Sequence, residues 1–199
     1  MWRFTRDGDF STKLAYWRCI EVDILETSFK GQWIWKLDIL PKIIMFLWLC
    51  LQTSVPVKSV LAARGINCDG KCPVCKRHDE TITRLLRDCE LARKYWSCVE
   101  VPPALVHTFL GSLEEWLQSN SVNLVKHKFD MPWSLVFLFT IWALWKNRNK
   151  IVFENSIPNS RLRIECINQT REYHFCLSKV KTTTAKFAIP VAWTKPREG

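Results

Sequence analysis

Glycine is scarce in this chain, six in 199 residues. So few cannot supply the tight turns of an all-β sandwich or barrel, and a mainly α fold is expected. Long apolar runs are missing too. Residues 39–51 are interrupted by Pro41 and Lys42, and residues 133–145 fall short of the roughly 20 that span a bilayer. Both read as buried helices, and no membrane partner is expected. The opening Met1-Trp2-Arg3-Phe4-Thr5-Arg6-Asp7 lacks the apolar stretch of a secretory leader. A reducing compartment, nucleus or cytoplasm, is therefore expected, with the nine cysteines as thiols rather than disulfides. Catalytic signatures are also missing. There is no Gly-rich phosphate loop, no Gly-x-Ser-x-Gly elbow and no Tyr-x-Asp-Asp, and His107, His127 and His174 have no adjacent cysteine or carboxylate. A non-catalytic protein with no small-molecule substrate is expected.

What is plentiful is tryptophan and positive charge. Eleven tryptophans in a chain that is 48% apolar are enough to anchor a helical core, because each indole removes a large area from water. Trp35, Phe46, Trp48 and Trp96 are the expected anchors of the first half. The formal charge of +10 favours a polyanionic partner, RNA or DNA bound without sequence preference. The excess is most one-sided in the second half. There Lys146, Arg148, Lys150, Arg161, Arg163 and Arg171 are the candidate phosphate contacts, expected to cluster where one helix ends and the next begins.

Apolar periodicity, caps and breakers predict helices over 11–20, 41–52, 57–63, 80–96, 113–117, 133–152 and 161–179. Pro41 sits at a favourable first helical position and Gly65 just beyond a helix end. The helix over 41–52 is apolar nearly all round, which predicts a central place in the core. The last two helices are expected to pair as an antiparallel hairpin. Cys19, Cys50, Cys98, Cys166 and Cys176 fall within these apolar patterns and read as core or near-core thiols.

The remaining cysteines carry the chemistry. Cys72-Pro73-Val74-Cys75 can place two thiolates on one ion, and Cys89 follows on the inward face of the predicted helix. Zinc takes four such ligands in a tetrahedron. The fourth stays open among Cys68, His78, a water or nothing.

These residues also carry a resemblance. Cys72, Pro73, Cys75, Glu80, Thr81, Leu85, Cys89 and Trp96 match in order and spacing the zinc-binding domain that follows the polymerase in plant non-LTR reverse transcriptases. Asp7-Gly8-Asp9-Phe10-Ser11, Ile34-Trp35-Lys36-Leu37, Pro41-Lys42, Phe46-Leu47-Trp48 and Arg64-Gly65-Ile66 resemble its upstream blocks. One position departs from the pattern. The family histidine falls on Arg84, whose guanidinium stays protonated and cannot ligate a metal. Trp142-Ala143-Leu144-Trp145-Lys146-Asn147-Arg148-Asn149 and Val191-Ala192-Trp193 resemble the connector that leads to a ribonuclease H domain in the same elements.

The resemblance implies a zinc-binding domain over 1–100, a connector over 101–131, a helical hairpin over 132–180, and a tail over 181–199 leading to an absent ribonuclease H domain. It implies a fragment of a larger element, accessory to a reverse transcriptase, with that polymerase or the ribonuclease H domain as partners. The other reading is a protein-interaction or relic module that no longer binds zinc.

Overall fold

The computed structural model describes residues 31–183 apart from 129, with side chains for all but 180–183. The helix expected over 11–20 lies outside the described residues. The chain divides into two units, Met1–Asp38 and Ile39–Gly199. In the first, the described part is a single 3-10 turn, Gln32–Lys36, that buries Ile34. Trp35 is 53% exposed, not the core anchor expected, because a lone turn has one inward position and Ile34 takes it.

The second unit is helical. Its elements are α1 (Pro41–Leu51), α2 (Lys58–Ala63), α3 (Glu90–Val99), α4 (Leu113–Ser121), α5 (Trp133–Phe153) and α6 (Leu162–Thr183). Among the described residues, the β structure is limited to isolated bridges at Lys71–Asp79 and Lys126–Pro132. No described helix is long and apolar enough to cross a membrane.

Pro41 opens α1, its fixed φ suited to a first turn that needs no N–H. Ile43, Phe46, Leu47 and Cys50 are buried, one stripe at three- and four-residue steps. Trp48 is only half-buried and Met45 is exposed. The helix is therefore one-sided, although its composition predicts burial all round. Phe46 stacks on Trp145 with ring centroids 5.8 Å apart and meets Trp142 edge-on at 5.5 Å. α2 ends at Arg64, and Gly65 takes the left-handed φ of +81° that the turn requires.

The central element is α5. It buries Trp133 through Ile141 on every side, then Ala143, Leu144, Asn147 and Arg148. It packs most extensively on α6, antiparallel to it: Thr140 Oγ1 lies 3.7 Å from Cys166 Sγ near the middle, and Asn147 Oδ1 accepts from Asn159 N at the turn. Cys50 and Cys166 are buried as expected, whereas Cys98 and Cys176 lie on exposed faces of α3 and α6.

The stretch 101–131, expected as a connector, carries core instead. Trp116 and Leu117 are fully buried, because α4 turns its apolar face onto α3 and α5. The Trp116 ring meets Trp96 at 5.8 Å, Phe109 at 5.5 Å and Phe137 at 5.0 Å, all edge-on. Asn120 ties this cluster together. Its Nδ2 donates to Trp116 O and Thr108 Oγ1, and its Oδ1 accepts from Trp133 Nε1 at 2.9 Å. His127 is also interior, with Nε2 donating to Val99 O at 2.7 Å.

Trp116 is thus a fully buried part of the aromatic core whose hub is Trp96, which also meets Tyr95, Phe109, Trp133 and Phe137. Trp116→Ala is expected to lower unfolding stability by about 3–5 kcal/mol, read as a shift in the denaturation midpoint. An unchanged midpoint would contradict this packing.

Candidate metal centre

The expected helix over 80–96 is broken in two. A π-helical turn, Arg84–Asp88, ends at Cys89, which is extended (φ −65°, ψ 147°) and stands at the N-terminus of α3. The break has a consequence for the thiol. An N-cap position sets the thiol beside the free N–H groups of the first turn, and the Leu91 N–H helps lower the Cys89 pKa, although no side-chain capping hydrogen bond forms.

Opposite lies a tight turn. Gly70, at φ +65°, bends the chain, and Lys71 bridges Asp79 across the turn, with Nζ 2.7 Å from Oδ1. Cys72 N donates to His78 O and Lys76 N to Cys72 O, each at 2.8 Å. Within this loop the Val74 and Cys75 N–H groups point at Cys72 Sγ.

The two pieces meet. The Sγ atoms of Cys72, Cys75 and Cys89 all lie within 4.8 Å of one another, with Cys72 and Cys89 3.7 Å apart. A zinc–sulfur bond of about 2.3 Å in a tetrahedron sets sulfurs roughly 3.8 Å apart. The donor set therefore fits a thiophilic ion. The Cys72–Cys89 hydrogen bond lowers the Cys89 pKa to about 7 against the opposing effect of burial. The same bond and burial raise Cys72.

The expected fourth ligands do not join this cluster. Cys68 Sγ lies 3.5 Å from Lys58 O, and His78 is exposed, tied to Cys72 only through its backbone. Arg84, at the family histidine position, is half-buried with an unpartnered Nε.

The candidate phosphate contacts separate into two kinds. Arg148 is a correction: it is 2% exposed. Its Nε and Nη2 each bond a Glu80 oxygen at 2.7 Å, and Glu80 is fully buried. The guanidinium also lies 5.3 Å from the Trp145 ring centroid. A buried charge needs an opposite charge and a full set of hydrogen bonds, and this fork supplies both. Lys146 is half-buried, its pKa lowered by burial first and by nearby Lys42 second. Lys150, Arg161, Arg163 and Arg171 are exposed. No ion pair among the described residues ties Lys150, Arg161 or Arg171, and Arg163 reaches Cys98 O at 3.4 Å.

The Glu80–Arg148 pair was not foreseen. The two residues lie 68 positions apart, and neither periodicity nor charge pattern links them. Glu80 also accepts from Lys58 N at 2.8 Å, and its backbone bonds Gly70 O and Ser59 N. It thereby ties α2, the cysteine turn and α5 together. Glu80→Gln is expected to cost about 3–5 kcal/mol by stranding the Arg148 charge, whereas Glu80→Leu combined with Arg148→Met recovers much of that loss. Urea denaturation of the three proteins checks it, and equal midpoints for parent and Glu80→Gln would contradict it.

Comparison with known proteins agrees with this geometry. Over its full length the chain is 28% identical to a protein of Arabidopsis thaliana provisionally named a ribonuclease H protein, and it spans 33% of that relative's length. No solved structure matches. Residues 10–96 match the family described as zinc-binding in reverse transcriptase, and this segment is a domain of that family in a retroelement-derived protein.

Proposed function

We propose that the chain is a non-catalytic accessory module of a reverse transcriptase, in which one zinc ion held by Cys72, Cys75 and Cys89 fixes a basic helical surface for RNA or DNA. The observation that carries this reading is the convergence of three thiols within 4.8 Å of one another, one pair 3.7 Å apart, in a segment that matches that family. Zinc bound there supplies a structural cross-link between the cysteine turn and α3. The protein's own residues do the rest. The turn N–H groups and the α3 N-terminus favour the thiolate form of the ligands, and the Glu80–Arg148 fork docks the turn on α5.

The basic surface lies at the α5–α6 turn and along α6. Around the cysteine turn, Lys58 pairs with Asp69 and Lys71 with Asp79, so much of that charge is internally balanced. Lys150, Arg161, Arg163 and Arg171 are better placed to track a phosphate backbone. A second reading rests on Phe153 and Ile157, 76% and 85% exposed near the same turn. Large exposed apolar side chains suit a protein interface, here with the polymerase or ribonuclease H domain of the parent element.

Elemental analysis of the purified, reduced protein is expected to find stoichiometric zinc. Cys72→Ser is expected to lower both zinc content and Tm, since metal binding and folding are coupled, and Arg84→His to tighten binding by adding an imidazole. A folded protein with no zinc after growth in zinc-supplemented medium would sink the metal reading.

Nucleic-acid binding is expected to weaken steeply with salt. Arg161→Glu with Arg163→Glu should lower affinity for all sequences alike and flatten the logarithmic salt slope by about one per lost contact. Parental affinity in the double variant at low salt would favour the protein-docking reading instead.

A further inference from the structure

Asn147 is 3% exposed. Its Oδ1 accepts from Asn159 N at 3.1 Å, while its Nδ2 is buried with no hydrogen-bond partner. A buried amide donor without an acceptor is unfavourable and uncommon in a folded protein. Several other polar atoms are also unpartnered, among them Trp142 Nε1 and Ser121 Oγ. Asn147 is set apart by its surroundings. It lines a cavity of about 10 Å³ together with Cys72 and Cys89, closed by Val74, Leu85 and Leu144. The amide and two of the three candidate ligands thus border the same small cavity.

We infer that Asn147 is a positioning residue of the metal centre, its Nδ2 donating across this cavity to the ligand thiolates. The inference rests on the zinc reading above. Three thiolates on a divalent ion carry net negative charge, and N–H donors around the sulfurs stabilise it. The cysteine turn supplies such donors to Cys72 from Val74 and Cys75, and α3 supplies one to Cys89 from Leu91. Among the side chains that line the cavity, the Cys72 and Cys89 sulfurs are the acceptors open to Asn147 Nδ2, since Arg148 only donates and the rest are apolar. The donor comes from α5, which also carries Arg148, so the helix beyond the matched 10–96 segment completes the surroundings of the site.

Asn147→Asp and Asn147→Leu together test this, because Asp keeps an oxygen for Asn159 N but exchanges the donor for a charged oxygen, whereas Leu removes the donor without adding charge. Chelator competition is expected to show zinc affinity reduced about 10–100-fold, and the thiolate-to-cobalt charge-transfer band of the cobalt-loaded protein is expected to shift. Equal affinity and an unmoved band would overturn the inference. If neither variant folds, NMR of the unaltered protein decides. On zinc loading the Asn147 side-chain amide protons are expected to shift and to exchange more slowly with solvent, and no response to loading would overturn it. Failure of the unaltered protein to take up zinc overturns the metal reading and this inference together. Zinc uptake with an indifferent Asn147 overturns this inference alone.

Discussion

Glu80 is a fully buried carboxylate, and a charge in that position is tolerated only because Arg148 meets it with a two-pronged hydrogen bond. Removing either partner would leave the other charged in an apolar interior. The pair therefore acts as a constraint on the whole second unit. It fixes the register of the cysteine turn against α5, and the backbone of the same residue pins Gly70 and Ser59. α5 is in turn the element on which α4 and α6 pack. Through one ion pair, the turn that carries Cys72 and Cys75 is tied to the helix that organises the core.

The candidate metal centre depends on that arrangement at one remove. Cys72 and Cys75 are local to each other, but Cys89 reaches them only because the chain breaks at the end of a π-helical turn and restarts as α3. An unbroken helix through Cys89 would give it no N-terminal donors and would commit its side chain to the helix flank. The extended backbone at Cys89 combines three effects. It ends one helix, stands at the N-cap position of the next, and directs a thiol with a lowered pKa toward its two partners.

Much of this was legible from the chain. The helical class followed from the scarcity of glycine and from three- and four-residue periodicity, and the main helices lie close to where that periodicity places them. That Cys72 and Cys75 lie together followed from spacing, since Cys-x2-Cys restricts the geometry of its own turn, and Cys89 joins them within 4.8 Å. Burial was harder to read. Trp35 and Trp48 looked like anchors because tryptophan usually is one, yet a single 3-10 turn and a one-sided helix leave them partly in water. Trp116, in a stretch expected to be a connector, is fully buried because Trp96 of α3 and Phe137 of α5 close over it together with Phe109.

The same division runs through the charged residues. Sequence alone determined the net positive charge, the helical periodicity and the Cys72–Cys75 spacing, because each is set by composition or by a few adjacent residues. Only the tertiary structure decided that Arg148 is a buried lock rather than a phosphate contact, that Cys68 turns to Lys58 O, and that Asn147 lies beside the thiols. Each of those outcomes depends on a partner distant in the chain. Arg148 and Lys150 carry the same charge two positions apart, yet Arg148 is buried with its guanidinium forked on Glu80 while Lys150 is exposed.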